Sequence, residues 1–149
     1  MDERGAVGVA SDGYEVERVY LALMLRGAEL DPVAVTGAFG LEPTISVSRE
    51  ESVDPGEGFW ARQFDGTGGP SLSEQLHVLV ASLSAPVAVW RELGTRARIR
   101  LVCSLYPGDW NQGTAVLSEH LQWLAERGIE LGIDIHGWAR PRVATRLGG

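Results

Sequence analysis

Arg18-Val19-Tyr20-Leu21-Ala22-Leu23-Met24-Leu25-Arg26 is the stretch that decides how this chain folds. Val19, Leu21, Leu23 and Leu25 fall on one side of an extended backbone. Arg18, Tyr20, Ala22, Met24 and Arg26 fall on the other. A period of two in β-forming residues predicts a strand over 15–26 with one face in a core. The pattern returns over Thr95–Tyr106, where Ala97, Ile99, Leu101 and Cys103 oppose Arg96, Arg98, Arg100 and Val102. It returns again where Ile129, Leu131, Ile133 and Ile135 alternate with Glu130, Gly132, Asp134 and His136. Strands apolar on one side only belong to a sheet with one covered and one open face.

Between these strands the chain reads as helices, short strands and loops. Asp31-Pro32 is an N-cap acid followed by proline at the first helical position, and Gly40 stops the short helix it starts. A short strand is expected at 44–48, an exposed loop at 49–58 and a further strand at 58–64. Ser71-Leu72-Ser73-Glu74 has capping-box spacing, and Leu72, Leu76, Leu79, Val80 and Leu83 follow on one stripe. Pro86 interrupts, and a second helical piece is expected over 87–93. Ser118 opens a last helix that Gly128 closes. The order β-α-β-β-α(α)-β-α-β predicts an α+β two-layer sandwich: a mostly antiparallel sheet with helices on one face, ferredoxin-like with additions. Residues 1–13 read as a flexible tail, 14–138 as a single domain, and 139–149 as a basic tail carrying Arg140, Arg142 and Arg146.

Composition narrows the function. The 149 residues suit one domain with a core of its own. All 13 cationic side chains are Arg, against 20 acids, for a net charge of −7. Nucleic-acid and anionic-membrane binding need a basic footprint, so neither is expected. With no Lys, a Schiff base and a P-loop lysine are excluded. One Cys excludes an internal disulfide and any multi-Cys zinc site. The longest apolar run, Val19–Leu25, is far short of the roughly 20 residues of a membrane span. The acidic N-terminus lacks a signal core. A cytoplasmic protein is expected, and Arg in place of Lys suggests a GC-rich bacterial genome.

Leu30-Asp31-Pro32, Gly40-Leu41-Glu42-Pro43-Thr44, Trp60, Leu72 to Leu76, Leu83, Val102-Cys103, the 117–128 helix and Leu131 to Ile135 with Asp134 are arranged as in a bacterial family. Over roughly residues 18–138 the chain resembles the DUF4279 domain of unknown function. The resemblance implies a fold and no reaction.

No catalytic constellation emerges. His77, His120 and His136 lie on two helices and a strand, without His-x-x-His or His-Glu-x-x-His spacing, and read as surface or capping residues. No metal site and no cofactor are expected. Cys103 lies on the apolar side of its strand and reads as a small buried hydrophobe. Gly-x-Ser-x-Gly is absent, and Gly66-Thr67-Gly68-Gly69 is a turn without a phosphate-binding lysine. An enzyme is therefore not the favoured reading.

The arginine row is the informative feature. By strand parity Arg96, Arg98 and Arg100 share one face, joined there by Arg18, Tyr20 and Arg26 and faced by Glu130, Asp134 and His136. Cross-strand ion pairing explains such a row in structural terms. A docking surface for an acidic protein partner explains it in functional terms, since Arg binds carboxylates bidentately. Trp110 stands in a polar loop, tucked back or offered to a partner. The first expectation is a non-enzymatic protein-binding module, for which immunity-type proteins are an example, using Arg18, Tyr20, Arg96, Arg98, Arg100 and Trp110. The alternative is a small-molecule binder or enzyme. Its pocket would lie between the 49–58 and 107–113 loops, with Arg49, Asp109, Trp110 and His120 as ligand-binding candidates.

Overall fold

A computed structural model describes residues 15–16, 18–53, 56–64 and 71–137. The two expected tails lie outside these residues. The elements are β1 (Arg18–Gly27), α1 (Pro32–Phe39), β2 (Ile45–Val47), β3 (Gly58–Phe64), α2 (Leu72–Ser82), α3 (Val87–Gly94), β4 (Arg98–Tyr106), α4 (Ser118–Glu126) and β5 (Glu130–Ile135). They make a five-stranded open sheet in the order β2-β3-β1-β4-β5. Three ladders are antiparallel and β4–β5 is parallel, so the sheet is mixed. A parallel neighbour needs a crossover, and α4 makes it.

The register explains why the period-two pattern works. Leu21 faces Cys103, Leu23 faces Leu101 and Leu25 faces Ile99 across β1–β4, and Leu25 also faces Trp60 of β3. A shift of one residue would turn every one of these side chains to the other face. All are buried, in one cluster with Val35 of α1, Leu72, Leu76 and Leu79 of α2, Trp90 and Leu93 of α3, and Leu124 of α4. Trp60 is tied down by Phe39 at 5.5 Å edge-on and by its indole N–H, which donates to Thr36 Oγ1 at 3.0 Å.

The first helix signals act locally as the residues suggest, but Ser118 does not cap α4, whose N-cap is Leu117 with no capping side chain. Asp31 accepts from the Val33 amide at 3.1 Å, and Gly40, at φ 69°, ends α1. Ser71 Oγ accepts from the Glu74 amide at 3.1 Å to start α2. Pro86 occupies the N-cap of α3. Gly27 and Gly58 face each other at one end of β1–β3. A Cβ on Gly27 would strike the Arg96 carbonyl oxygen, and one on Gly58 the Leu30 carbonyl oxygen. This close approach lets Leu30 pass into the core.

One boundary differs with consequence. β4 begins at Arg98, not Thr95, because the amides of Arg96 and Ala97 both donate to the Leu93 carbonyl and finish α3. No single described helix is long and apolar enough to cross a membrane. The bent pair α2–α3 passes that test only jointly, and its Leu72, Leu76, Leu79, Trp90 and Leu93 lie in the core.

Candidate functional site: the open face of the sheet

The face opposite the helices carries Arg18, Tyr20, Ala22, Met24 and Arg26 from β1 and Arg98, Arg100, Val102, Ser104 and Tyr106 from β4. None of these ten is fully buried. Strand parity alone places them there. Two ends of this face differ in chemistry.

At the end marked by Gly27, Arg98 grips Glu130 bidentately, Nε to Oε1 at 3.1 Å and Nη2 to Oε2 at 3.2 Å. Arg100 Nε adds a third bond to Oε1 at 2.9 Å. Hydrogen bonds from Arg98, then Arg100, hold the Glu130 carboxyl below its ordinary value. Cross-strand pairing thus accounts for two of the arginines. Arg26 is placed otherwise: its guanidinium lies 5.0 Å above the Phe59 ring. Met24, Arg26, Phe59, Arg98 and Arg100 line a shallow hollow of about 260 Å³.

At the other end Arg18 lies 4.8 Å above the Tyr106 ring. Tyr106 meets Tyr20 edge-on at 5.5 Å and stacks flat on His136 at 4.1 Å. Asp134, expected to face an arginine, instead has His136 Nε2 at 3.3 Å. Beyond Tyr106 the chain turns into the loop of Trp110, whose side chain is 76% exposed. Gln112 Oε1 accepts from the Gly108 amide and Asp109 Oδ1 from the Trp110 amide, which shape this loop. Trp110 is offered outward, not tucked back.

Arg96 is a correction. It lies in the α3–β4 turn, so strand parity does not apply to it, and its guanidinium pairs with Glu92 at 2.8 Å. There it lines a cavity of about 490 Å³ between α1 and α3, floored by Leu30, Ala34, Ala38 and Val89. No motif announced this cavity; alanines along α1 were its one trace in the sequence.

The pocket expected between the 49–58 and 107–113 loops is also corrected. The first loop leads into Gly58, which faces Gly27, whereas the second leaves from Tyr106, which faces Arg18. The nine steps along β1 from Gly27 to Arg18, about 30 Å at about 3.3 Å each, separate the two. Arg49 Nη1 donates to the Ala28 carbonyl at the first end, while Asp109 and Trp110 stand at the second. His120 joins neither group. It is buried on α4 beside Glu119 and the exposed His77 of α2, so the surface reading of His120 is overturned. Cys103 is fully buried, and burial pushes its thiol up to about 12.

A family described as domain of unknown function (DUF4279) matches residues 17–138. The chain belongs to the DUF4279 family. The match takes in every described element, and so the whole open face of this DUF4279 domain. No curated protein and no solved structure matches the chain.

Proposed function

We propose that this DUF4279 chain is a non-enzymatic protein-binding module whose open sheet face receives an acidic protein partner. One observation carries the reading. Arg18 and Arg26 are each parked over an aromatic ring, and among the described residues neither has a carboxylate partner. A guanidinium over a ring has spent no N–H donor on a carboxylate, and those donors are what an acidic partner would engage. Four guanidinium groups, Arg18, Arg26, Arg98 and Arg100, share the face with two carboxylates, Glu130 and Asp134, leaving it positive on a chain of net charge −7. Tyr20 and Trp110 supply amphipathic contact area at the Arg18 end.

Co-purification from the native host identifies the partner, and titration calorimetry against it tests the surface. Arg18→Glu with Arg26→Glu weakens binding at least tenfold, and the wild-type affinity falls with added salt. Unchanged affinity in that double variant and in Arg98→Glu with Arg100→Glu removes the surface assignment. A thiol kept from solvent fits a reducing compartment such as the bacterial cytoplasm. Immunity proteins are one class of module that works this way. The strand order, with β1 between β3 and β4, supports a ferredoxin-like core to which β5 is an addition.

A second reading, small-molecule binding, is favoured by the α1–α3 cavity, whose volume of about 490 Å³ falls in the usual range for ligand pockets. Ala38→Phe fills it, and abolishes uptake of an apolar fluorescent probe if this reading is right.

A further inference from the structure

We infer that His77, Glu119 and His120 form a binding site for a divalent cation of the zinc class, clamping α2 to α4. The three donor atoms come within 4.8 Å of one another. Sequence spacing hides this, because one helix, α3, and one strand, β4, lie between the helices of His77 and His120.

The argument for a ligand rests on His120. Its side chain is among the few buried polar ones, at 3% exposure, and neither ring nitrogen has a hydrogen-bond partner. Its nearest carboxylate oxygen, Glu119 Oε2, stands 3.7 Å from Nε2, beyond a hydrogen bond. Buried imidazoles are normally satisfied, since an unpaired buried nitrogen forfeits its hydration for nothing. A cation on one nitrogen removes that loss. The exposed Glu119 and His77 stand beside His120, with the His77 ring centred 6.5 Å from the His120 ring.

The chemistry of the donors selects the ion. Two neutral imidazoles and one carboxylate suit zinc and its first-row neighbours and are poor ligands for Mg²⁺ or Ca²⁺. Tetrahedral bonds of about 2.1 Å place donors about 3.4 Å apart. His120 is fixed by burial, whereas His77 and Glu119 are exposed and close the remaining distance by side-chain rotation alone. Three protein ligands leave a fourth position to water.

The test is titration of the full chain, stripped with chelator, with Zn²⁺ alone, followed by calorimetry and by thermal unfolding. One equivalent binds with micromolar or tighter Kd, the melting temperature rises with Zn²⁺, and Mg²⁺ does neither. Co²⁺ in place of Zn²⁺ gives the visible absorption of a low-coordinate site. His77→Ala, an exposed position that leaves the fold intact, weakens Zn²⁺ binding at least tenfold, and Glu119→Gln weakens it too. His136→Ala leaves it unchanged. Absence of binding at tens of micromolar Zn²⁺ overturns the site, and so does undiminished binding in His77→Ala.

Discussion

Cys103 offers a direct measure of how sealed the core is. Its thiol, ordinarily near 9.0, is pushed up to about 12 by burial between β1 and β5. At pH 8 a thiol of pKa 9.0 is about 9% thiolate, and one of pKa near 12 about 0.01%. Chemistry alone therefore slows labelling by an aromatic disulfide reagent about a thousandfold, before steric exclusion adds to it. The same shift makes stability depend on pH, with a definite sign. The unfolded thiol ionises above about 9 while the folded one stays protonated, so the Cys103 contribution is complete below 9 and drains away between 9 and 12. By pH 10.5 the loss is about 2 kcal/mol, at about 1.4 kcal/mol per unit. The chain suits this measurement because it has no Lys. Urea midpoints at pH 8 and 10.5 for the wild type and Cys103→Ala isolate the effect, since the variant's packing loss is the same at both pH values. A wild-type stability that falls no further than the variant's, or a native thiol reacting within tenfold of free cysteine, would falsify the sealed-core account.

Three further outcomes follow from particular contacts. Gly27→Ala is expected to cost at least about 2 kcal/mol by calorimetric melting, because its Cβ meets the Arg96 carbonyl. Gly37→Ala, with open space in α1, is expected to be neutral or stabilising by up to about 1 kcal/mol, and equal effects at the two sites refute the close approach. Glu130→Gln lowers stability at pH 7, but the gap from wild type closes as acid protonates Glu130 below the ordinary carboxylate range. The folded carboxyl is the stronger acid, so its contribution is present above that range and lost beneath it; a gap constant down to pH 2.5 contradicts the arginine pairing. Trp110→Phe leaves stability within about 0.5 kcal/mol and removes the emission of the most exposed of the described tryptophans, seen as a fall in acrylamide quenching, unless the loop folds back.

The sheet was legible because its faces are chemically unlike: leucines at every second place from Val19 to Leu25 admit one register and one inward side. Helix starts at Asp31 and Ser71 were legible because a capping side chain acts within three residues of itself. Arg96 was misplaced because parity assumes the strand has already begun, and nothing local says that α3 still holds the amides of Arg96 and Ala97. The two loops assigned to one pocket lie at opposite ends because strand direction in a sheet is set by pairing, to which loop composition is blind. His77 and His120 converge only through the packing of α2 on α4, a relation carried by the whole core. Among the described residues, cross-strand pairing accounts for only part of the arginine row: Arg98 and Arg100 pair with Glu130, while Arg18 and Arg26 lie over aromatic rings.

The central position of β1 bears on how the protein is made. β1 pairs with β4, joining Arg26 to Arg98 and Arg18 to Tyr106, residues 72 to 88 apart along the chain. A growing polypeptide therefore carries the inward leucines of β1 without half of their cover until β4 has left the ribosome. Closure of such a long loop before its contacts form makes folding slow by topology. Of the described strands β1 is made first and is among the last to be enclosed, and the nascent chain passes through a period in which Leu21, Leu23 and Leu25 are open to chaperones or to other chains.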